Sequence, residues 1–308
     1  MISKEEFFSI CNNIIPQEEI VIYNKKTKKM WLTLALVLTI ELVMTIVVAL
    51  SWSSAIIPIM LIIAAVSVTT IIVTMKYSWQ NFKSKYSGQV FECLLKGYKH
   101  NYHQSAFIHQ SIFNKSGFGK RYDRYTGEDL LTIDIPKDDG TPSGIKLSIS
   151  DLFVTRQEET TTIRNGKYYT EKRTVIVYKG AFAYVNFPFK FKCGMGLNIG
   201  FSGQEQIKLE DIEFNKKFKT YTNNQLEALV ILTPTLITKL LALSKKTGKL
   251  MVSLTEFGTL YFGMQNNLFK LKQIGKPSPQ TFEDFYDDIS IILAIINEIK
   301  DNNKVFKM

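Results

Sequence analysis

The sequence predicts an α+β protein: an N-terminal transmembrane helical hairpin, followed by a cytoplasmic domain with a mostly antiparallel sheet and flanking helices. Three observations carry that expectation. Two apolar runs, Trp31–Leu50 and Ala55–Met75, hold one ionisable group between them, Glu41. From about Phe107 to Ile207 the chain breaks into short β-branched and aromatic stretches separated by Gly, Pro, Asp and Asn. Helical periodicity then returns on either side of one further hairpin.

Taken in order, Ser3-Lys4-Glu5-Glu6 is a capping box, and "FFSICNNII" after it fits a short amphipathic helix that ends before Pro16. Each apolar run has the roughly 20 residues that cross a hydrocarbon core about 30 Å thick. Trp52 in the serine-rich junction suits a membrane–water interface. Pro58 lies in the first turn of the second span, where its missing N–H costs little. A cleaved signal peptide does not fit, because the first run begins only at Trp31 and a second span follows it. Lys25, Lys26, Lys28 and Lys29 precede the first span, Lys76, Lys83 and Lys85 follow the second, and the loop between has no cation. The positive-inside rule then places both termini in the cytoplasm, as a multi-pass protein of the cell membrane.

The expected division is a short cytoplasmic segment (1–30), the hairpin (31–75), a juxtamembrane basic amphipathic helix (76–106) and a cytoplasmic α+β domain ending in an amphipathic helix (107–308). In the third of these, Phe82, Tyr86, Val90, Leu94 and Tyr98 recur every fourth residue, with Gly88 and Gly97 as points of breakage. "LLTIDI", "GIKLSISDLFVTR", "RTVIVYKGAFAYVNF" and "GLNIGF" read as strands, and Asn165-Gly166 in "IRNGKYY" as a hairpin turn. Thr233 caps "PTLITKLLALSKKTG", with Pro234 at the first helical position and Gly248 as the stop. "KLMVSLTEFGTLYFGM" is a hairpin turning near Phe257-Gly258. Thr281 caps a last helix whose apolar stripe runs through Phe282, Phe285, Ile289, Ile292, Leu293, Ile296 and Ile299, and which docks on the domain rather than forming a third span.

The chain carries 38 Lys and Arg against 28 Asp and Glu, net +10. The excess is local: residues 76–124 hold nine basic residues against Glu92 and Asp123, net +7, directly after the membrane exit. An anionic leaflet attracts such a segment at about 1 kcal/mol per Lys or Arg. Lys76, Lys83 and Lys85 are therefore assigned to membrane-surface binding, with the lipid bilayer as partner. Nucleic acid is set aside because no nucleic-acid motif accompanies the charge. Within the first span Glu41 lies near the bilayer midplane, where a carboxylate costs about 3 kcal/mol and faces protein rather than lipid. Folding the hairpin brings Ala64, Ala65 and Ser67 to its depth. Glu41 and Ser67 are assigned to intramembrane helix packing, with Thr69 as a second possible donor. A proton or ion relay needs a second intramembrane ionisable group, and the spans offer none.

Little else points to chemistry. Cys11, Cys93 and Cys193 lack CxxC spacing, which argues against a disulfide framework or a zinc site. His100, His103 and His109 lie within ten residues, yet HxxH is not HExxH and no acid stands between Lys99 and Asn114. "GMGLNIG" and "GFGKR" imitate nucleotide loops but break both patterns and read as turns. "FPFKFKCGMG" reads as an edge strand with one face in the core, or else as a lipid- or peptide-contacting edge. No catalytic residue, metal or cofactor is assigned. The expected function is a membrane-anchored cytoplasmic interaction module that binds a protein or lipid partner at the inner leaflet. The alternatives are a membrane-associated enzyme with a metal at the histidines, and a homo-oligomeric channel or transporter component.

"LEDIEFNKKFKTYTNNQLEALVILTPTLITKLLAL" (Leu209–Leu243) resembles the signature of an uncharacterised bacterial family of two-helix membrane proteins, a domain of unknown function. Glu210, Asp211, Glu213, Phe214, Phe218, Tyr221, Glu227, Ala228 and Thr233-Pro234 carry the match. "SIF…YDRYTGEDLL" and "VYKGAFAYVNF" are similar to two further elements, with Tyr178 in place of the usual Phe. The resemblance spans roughly residues 90–270 and implies no established reaction. It implies an acidic strand entry, with Glu213, Phe214 and Phe218 on a strand with a capping acid, then a turn at Tyr221–Ala228 and a helix start at Thr233. Association of the family's genes with those of LemA-type membrane proteins implies a membrane-protein partner, with self-association as the other possibility.

Overall fold

The computed structural model describes residues 3–14, 17–50, 57–119, 121–137, 139–164, 167–269 and 279–302. It divides into two compact units, one built on Ser3–Cys93 and the other on Leu94–Lys270 and Gln280–Met308.

The first unit is helical. Ser3 Oγ accepts from Glu6 N at 3.2 Å and starts α1 (Lys4–Ile14). Two long helices follow, α2 (Gln17–Leu50) and α3 (Ile57–Leu94). Their side chains at 47–50 and 57–61, and the junction 51–56 with Trp52, lie outside the described residues. Among the described residues no single helix is long and apolar enough to cross a membrane. Leu32, Leu36, Ile40, Leu42 and Val43 of α2, and Ile62, Val66, Ile72 and Val73 of α3, nevertheless stand exposed. The helix expected to reach residue 106 stops at Leu94. Tyr98 N donates to Leu95 O, and Gly97 adopts φ +90, which ends the helix. Residues 99–103 then form a strand.

The second unit is α+β, with a large antiparallel sheet and flanking helices. Nine strands are described, β1 (Lys99–His103), β2 (Arg124–Pro136), β3 (Pro142–Arg164), β4 (Lys167–Asn186), β5 (Met195–Leu197), β6 (Glu205–Ile207), β7 (Thr220–Thr222), β8 (Leu250–Leu254) and β9 (Thr259–Met264). Their order is β1-β2-β3-β4-β9-β8-β5-β7-β6, and every neighbouring pair is antiparallel. Register lines up apolar residues on one face. Leu131, Ile149, Ala183, Phe262, Val252 and Leu197 form one row across six strands; Ile133, Leu147, Val185, Leu260, Leu254 and Met195 form the next. All twelve are buried. The last helix, α8 (Pro279–Asp301), buries Ile289, Ile292, Leu293, Ile296 and Ile299. Its Glu298 takes Lys239 of α7 (Pro234–Thr247) at 2.7 Å, so α7 and α8 are locked together. The side chains of Thr281, Phe282 and Phe285 lie outside the described residues.

The opposite face of the sheet is aromatic. A helix absent from the sequence reading, α4 (Gln110–Ser116), starts where His109 accepts from Ser111 N and stops at Gly117 with φ +74. It presses Phe113 onto Phe182 (ring centroids 5.2 Å) and Tyr178 (5.3 Å), and Phe118 joins the same cluster. Gly180 has to be glycine: φ is +140, and a Cβ would stand 2.0 Å from Met264 O.

Three other readings change. "LEDIEF" is not a strand. Asp211 accepts from Phe214 N at 2.8 Å and starts α5 (Ile212–Lys217), because a capping acid favours helix over strand there. Asn224 in the same way starts α6 (Gln225–Ile231), where a turn was expected. "FPFKFKCGMG" is an irregular segment rather than an edge strand. Phe187, Phe189 and Phe191 stack on one another, and the backbone bonds to Gly258 and Glu256 at the β8–β9 turn. The rings of Phe187 and Phe191 lie 5.5 Å apart, whereas an extended strand would carry residues four apart about 13 Å along its axis.

β3 and β4 outrun the sheet. Beyond the bulge at Val154/Thr155, Arg156–Arg164 pair, among the described residues, only with Lys167–Val175. Nine such pairs make a two-stranded ribbon about 30 Å long, and its turn, Asn165-Gly166, lies outside the described residues. High β-propensity, the Thr161–Thr170 contact and the Glu159–Lys172 ion pair (2.8 Å) hold it. Truncating Ile149 to Ala in the apolar row is expected to lower stability by about 3 kcal/mol, while Thr161→Ala on the ribbon changes it by less than about 0.5 kcal/mol. Chemical denaturation of the two variants reads both, and equal effects would mean that the rows do not dominate stability.

Candidate functional site

A polar contact joins the two long helices. Ser67 Oγ of α3 donates to Glu41 Oε1 of α2 at 2.8 Å, and both side chains are part-buried. Neighbouring hydroxyls do something different. Thr39 donates to Ala35 O, Thr69 to Ala65 O, Thr70 to Val66 O and Thr74 to Thr70 O, each within its own helix. Thr69 is thereby engaged on its own backbone, and Ser67 is the donor that reaches Glu41. The residues four away return their protons to the preceding turn, so an apolar helix exposes few unmet donors. Lys76, Lys83 and Lys85 have side chains outside the described residues.

The histidines do not converge. His100 and His103 lie on β1, His100 Nδ1 against Tyr98 O and His103 Nε2 against Asn101 Nδ2, whereas His109 caps α4. Among the described residues no group of three or more His, Cys, Asp or Glu is placed to hold a metal ion. Cys193 is buried, and burial pushes its thiol above the ordinary range, which disfavours the nucleophilic thiolate. "GMGLNIG" is not the expected turn, since Met195–Leu197 form β5 and only Asn198 after it takes a positive φ; in "GFGKR" Gly117 and Arg121 take positive φ, and Lys120 lies outside the described residues.

Two buried carboxylates escaped the sequence reading. Asp129 sits in the bulge of β2 between Glu128 and Leu131, with φ +65 and no exposure, and accepts from Tyr102 Oη at 2.5 Å. Asp151 of β3 accepts from Leu268 N at 2.9 Å and Phe269 N at 3.3 Å, tying the centre of the sheet to the chain leaving β9. Next to them, Tyr178 Oη donates to Ala181 O and accepts from Met264 N at 3.1 Å, while Tyr125 Oη donates to Ile108 O at 2.7 Å. These bonds satisfy groups whose burial is otherwise costly, and their work is to fix loops and strand ends. Gly127 lets this happen, since a Cβ there would meet Asp151 O at 2.6 Å. The "YTGED" stretch is thus a structural joint; the one available signal was a Gly followed by two acids inside a strand.

Residues 170–300 match the model of a family described as protein of unknown function, DUF3137. An uncharacterised domain of unknown function is therefore present. No curated protein and no solved structure matches the chain. The matched region begins on the ribbon and ends in the last turn of α8. It takes in Tyr178 and Gly180 and the capped starts of α5, α6 and α7, while "YDRYTGEDLL" precedes it.

Two outcomes test these contacts. Glu41→Gln keeps an acceptor for Ser67 and is expected to leave the helix pair intact, whereas Glu41→Leu loses about 1 kcal/mol. SDS titration of the purified protein followed by circular dichroism separates them, and equal midpoints would show that the bond contributes nothing. Burial raises the Tyr178 and Tyr125 phenols above their usual 10.0, a nearby charge from Asp151 adding to the first and one from Tyr122 to the second. The folded state holds these protons after the unfolded chain has lost them. Their contribution is accordingly complete below about pH 10 and declines as pH rises beyond it. Urea denaturation at pH 8 and 10.5 should show that loss, and Tyr178→Phe should reduce it.

Proposed function

We propose that the chain is a membrane-anchored interaction module, with α2 and α3 as the anchor and the sheet unit presented to a partner on the cytoplasmic side. The observation that carries this reading is the exposed apolar surface of α2 and α3 around the Glu41–Ser67 bond. Leu36 is 62% exposed, Leu42 62% and Val66 60%. Helices apolar on all sides need a lipid or protein cover, since water leaves such a surface unfavourably solvated. The Glu41–Ser67 bond supports the same reading, because in hydrocarbon a polar group is best placed against a neighbouring helix. The lysines on either side of the apolar runs support an orientation with both ends in the cytoplasm.

The partner is a protein or lipid at the inner leaflet. A LemA-type membrane protein is the specific protein candidate, supported by the family resemblance alone, and a second copy of the chain is the other. Among the described residues the ribbon pairs with no third strand, and Gln157, Thr160, Thr161, Thr162, Tyr168 and Thr170 stand exposed on it, which offers an accessible surface to a protein.

Sealed cells that make the chain with a C-terminal tag test the anchor. Carbonate-washed membranes should retain it, and external protease should leave the tag intact until the cells are opened. Release by carbonate, or loss of the tag in sealed cells, would overturn the arrangement. Crosslinking in the same membranes followed by mass spectrometry identifies the partner.

A further inference from the structure

Asn198, directly after β5, has φ +57, a left-handed conformation that asparagine tolerates. It gathers separate stretches of backbone. Its N–H donates to Lys219 O at 2.8 Å and its Oδ1 accepts from Lys219 N at 3.0 Å. Its Nδ2 donates to Leu250 O at 2.9 Å and Lys217 O at 3.3 Å. Each stretch brings lysines with it. Lys216 and Lys217 close α5, Lys219 follows, and Lys249 precedes Leu250. The β6–β7 register, with Ile207 against Thr220, puts Lys208 one step further on, across from Lys219.

All five lysines are exposed. Like charges facing across a strand pair repel. Some other lysines of this unit are paired, Lys192 with Glu227, Lys239 with Glu298, Lys245 with Glu213 and Lys246 with Asp287. None of the five has an ion pair among the described residues. The nearby acids are largely engaged, Asp211 in capping α5 and Glu213 with Lys245. Glu205, Glu210 and Asp211 are exposed in the same stretches and keep their charges, so five lysines against three acids leave the patch positive.

We propose that Lys208, Lys216, Lys217, Lys219 and Lys249 bind anionic lipid headgroups and seat the sheet unit on the bilayer surface. This rests on the membrane-anchored reading above. The patch has lysines and no arginine. Flexible ammonium groups accept a phosphate from any direction, which suits a fluid layer of headgroups better than one fixed ligand. A tethered domain also meets headgroups at high effective concentration, so weak attraction per lysine suffices.

The test uses the full chain reconstituted into liposomes of phosphatidylcholine, with or without phosphatidylglycerol, and lysine acetylation followed residue by residue by mass spectrometry. Acetylation of the five lysines should slow about fivefold for each lysine held at the anionic surface, while the exposed Lys146 and Lys179 react equally in both lipids. Equal rates at the patch in both lipids overturn the proposal and assign any protection to a protein contact. Slowing that extends to Lys146 and Lys179 overturns it too, since it reports general approach to the bilayer. A K216E/K217E/K219E variant with unchanged circular dichroism should lose the protection at Lys208 and Lys249; protection that survives would overturn it. Failure of the anchor is seen separately, as a chain that does not float with the liposomes. Preformed anionic vesicles added to that chain then read the patch directly.

Discussion

Two apolar rows across β2, β3, β4, β9, β8 and β5 are the constraint on which the sheet unit depends. A strand sends alternate residues to opposite faces, so a one-residue slip of any of the six would carry its part of both rows to the other side. With the rows in register, Phe182, Tyr178 and Tyr261 are committed to the second face, where Phe113 and Phe118 meet them. The polar joints follow from the same register. Asp151 lies between Ser150 and Leu152 in β3, one step from the bulge that turns Asp129 inward, and from there it reaches the backbone at Leu268 and Phe269. Buried carboxylates are tolerable because the apolar rows hold those N–H groups in place to meet them.

The helical unit inverts this logic. In the sheet unit apolar side chains are covered and polar ones bond at the margins. In α2 and α3 apolar side chains face outward, and the shared polar contact, Glu41 with Ser67, lies between the helices. Threonines that would otherwise present donors to that outer surface bond back to their own turns. The arrangement matches a medium that offers no hydrogen bonds, which is the basis of the proposed anchor. The lysines on the stretches that Asn198 joins are the basis of the proposed headgroup contact.

Much of this was legible in the residues. Ser3 and Glu6, Thr233 and Pro234, and Gly248 mark helix ends because capping is decided within a few residues of backbone. The β8–β9 hairpin was readable for a similar reason, since turn geometry is local. Glu41 stood out as a charge in an apolar run, and depth-matching alone suggested Ser67. The misses also have physical causes. α4 is seven residues long, too short for a periodic signal, and its cap is a histidine. At "LEDIEF" the family resemblance implied a strand, but the Asp211 cap starts a helix there. The phenylalanines of "FPFKFK" alternate as in a strand, yet they converge because the β8–β9 turn supplies their backbone partners.

The amino-acid sequence by itself determined the local events: where helices start and stop, which runs are apolar, which turns are tight, and where charge accumulates. Those depend on side chains a few positions apart. Tertiary structure alone decided which strands are neighbours, that Asp129 and Asp151 are buried, that the β3–β4 ribbon projects past the bulge at Val154, and that Asn198 joins the backbone of separate lysine-bearing stretches. Each of these follows from pairing residues up to 118 positions apart, as in the bond from Phe269 to Asp151. Such pairing is selected by the burial of the whole apolar face, and no short window of sequence contains that information.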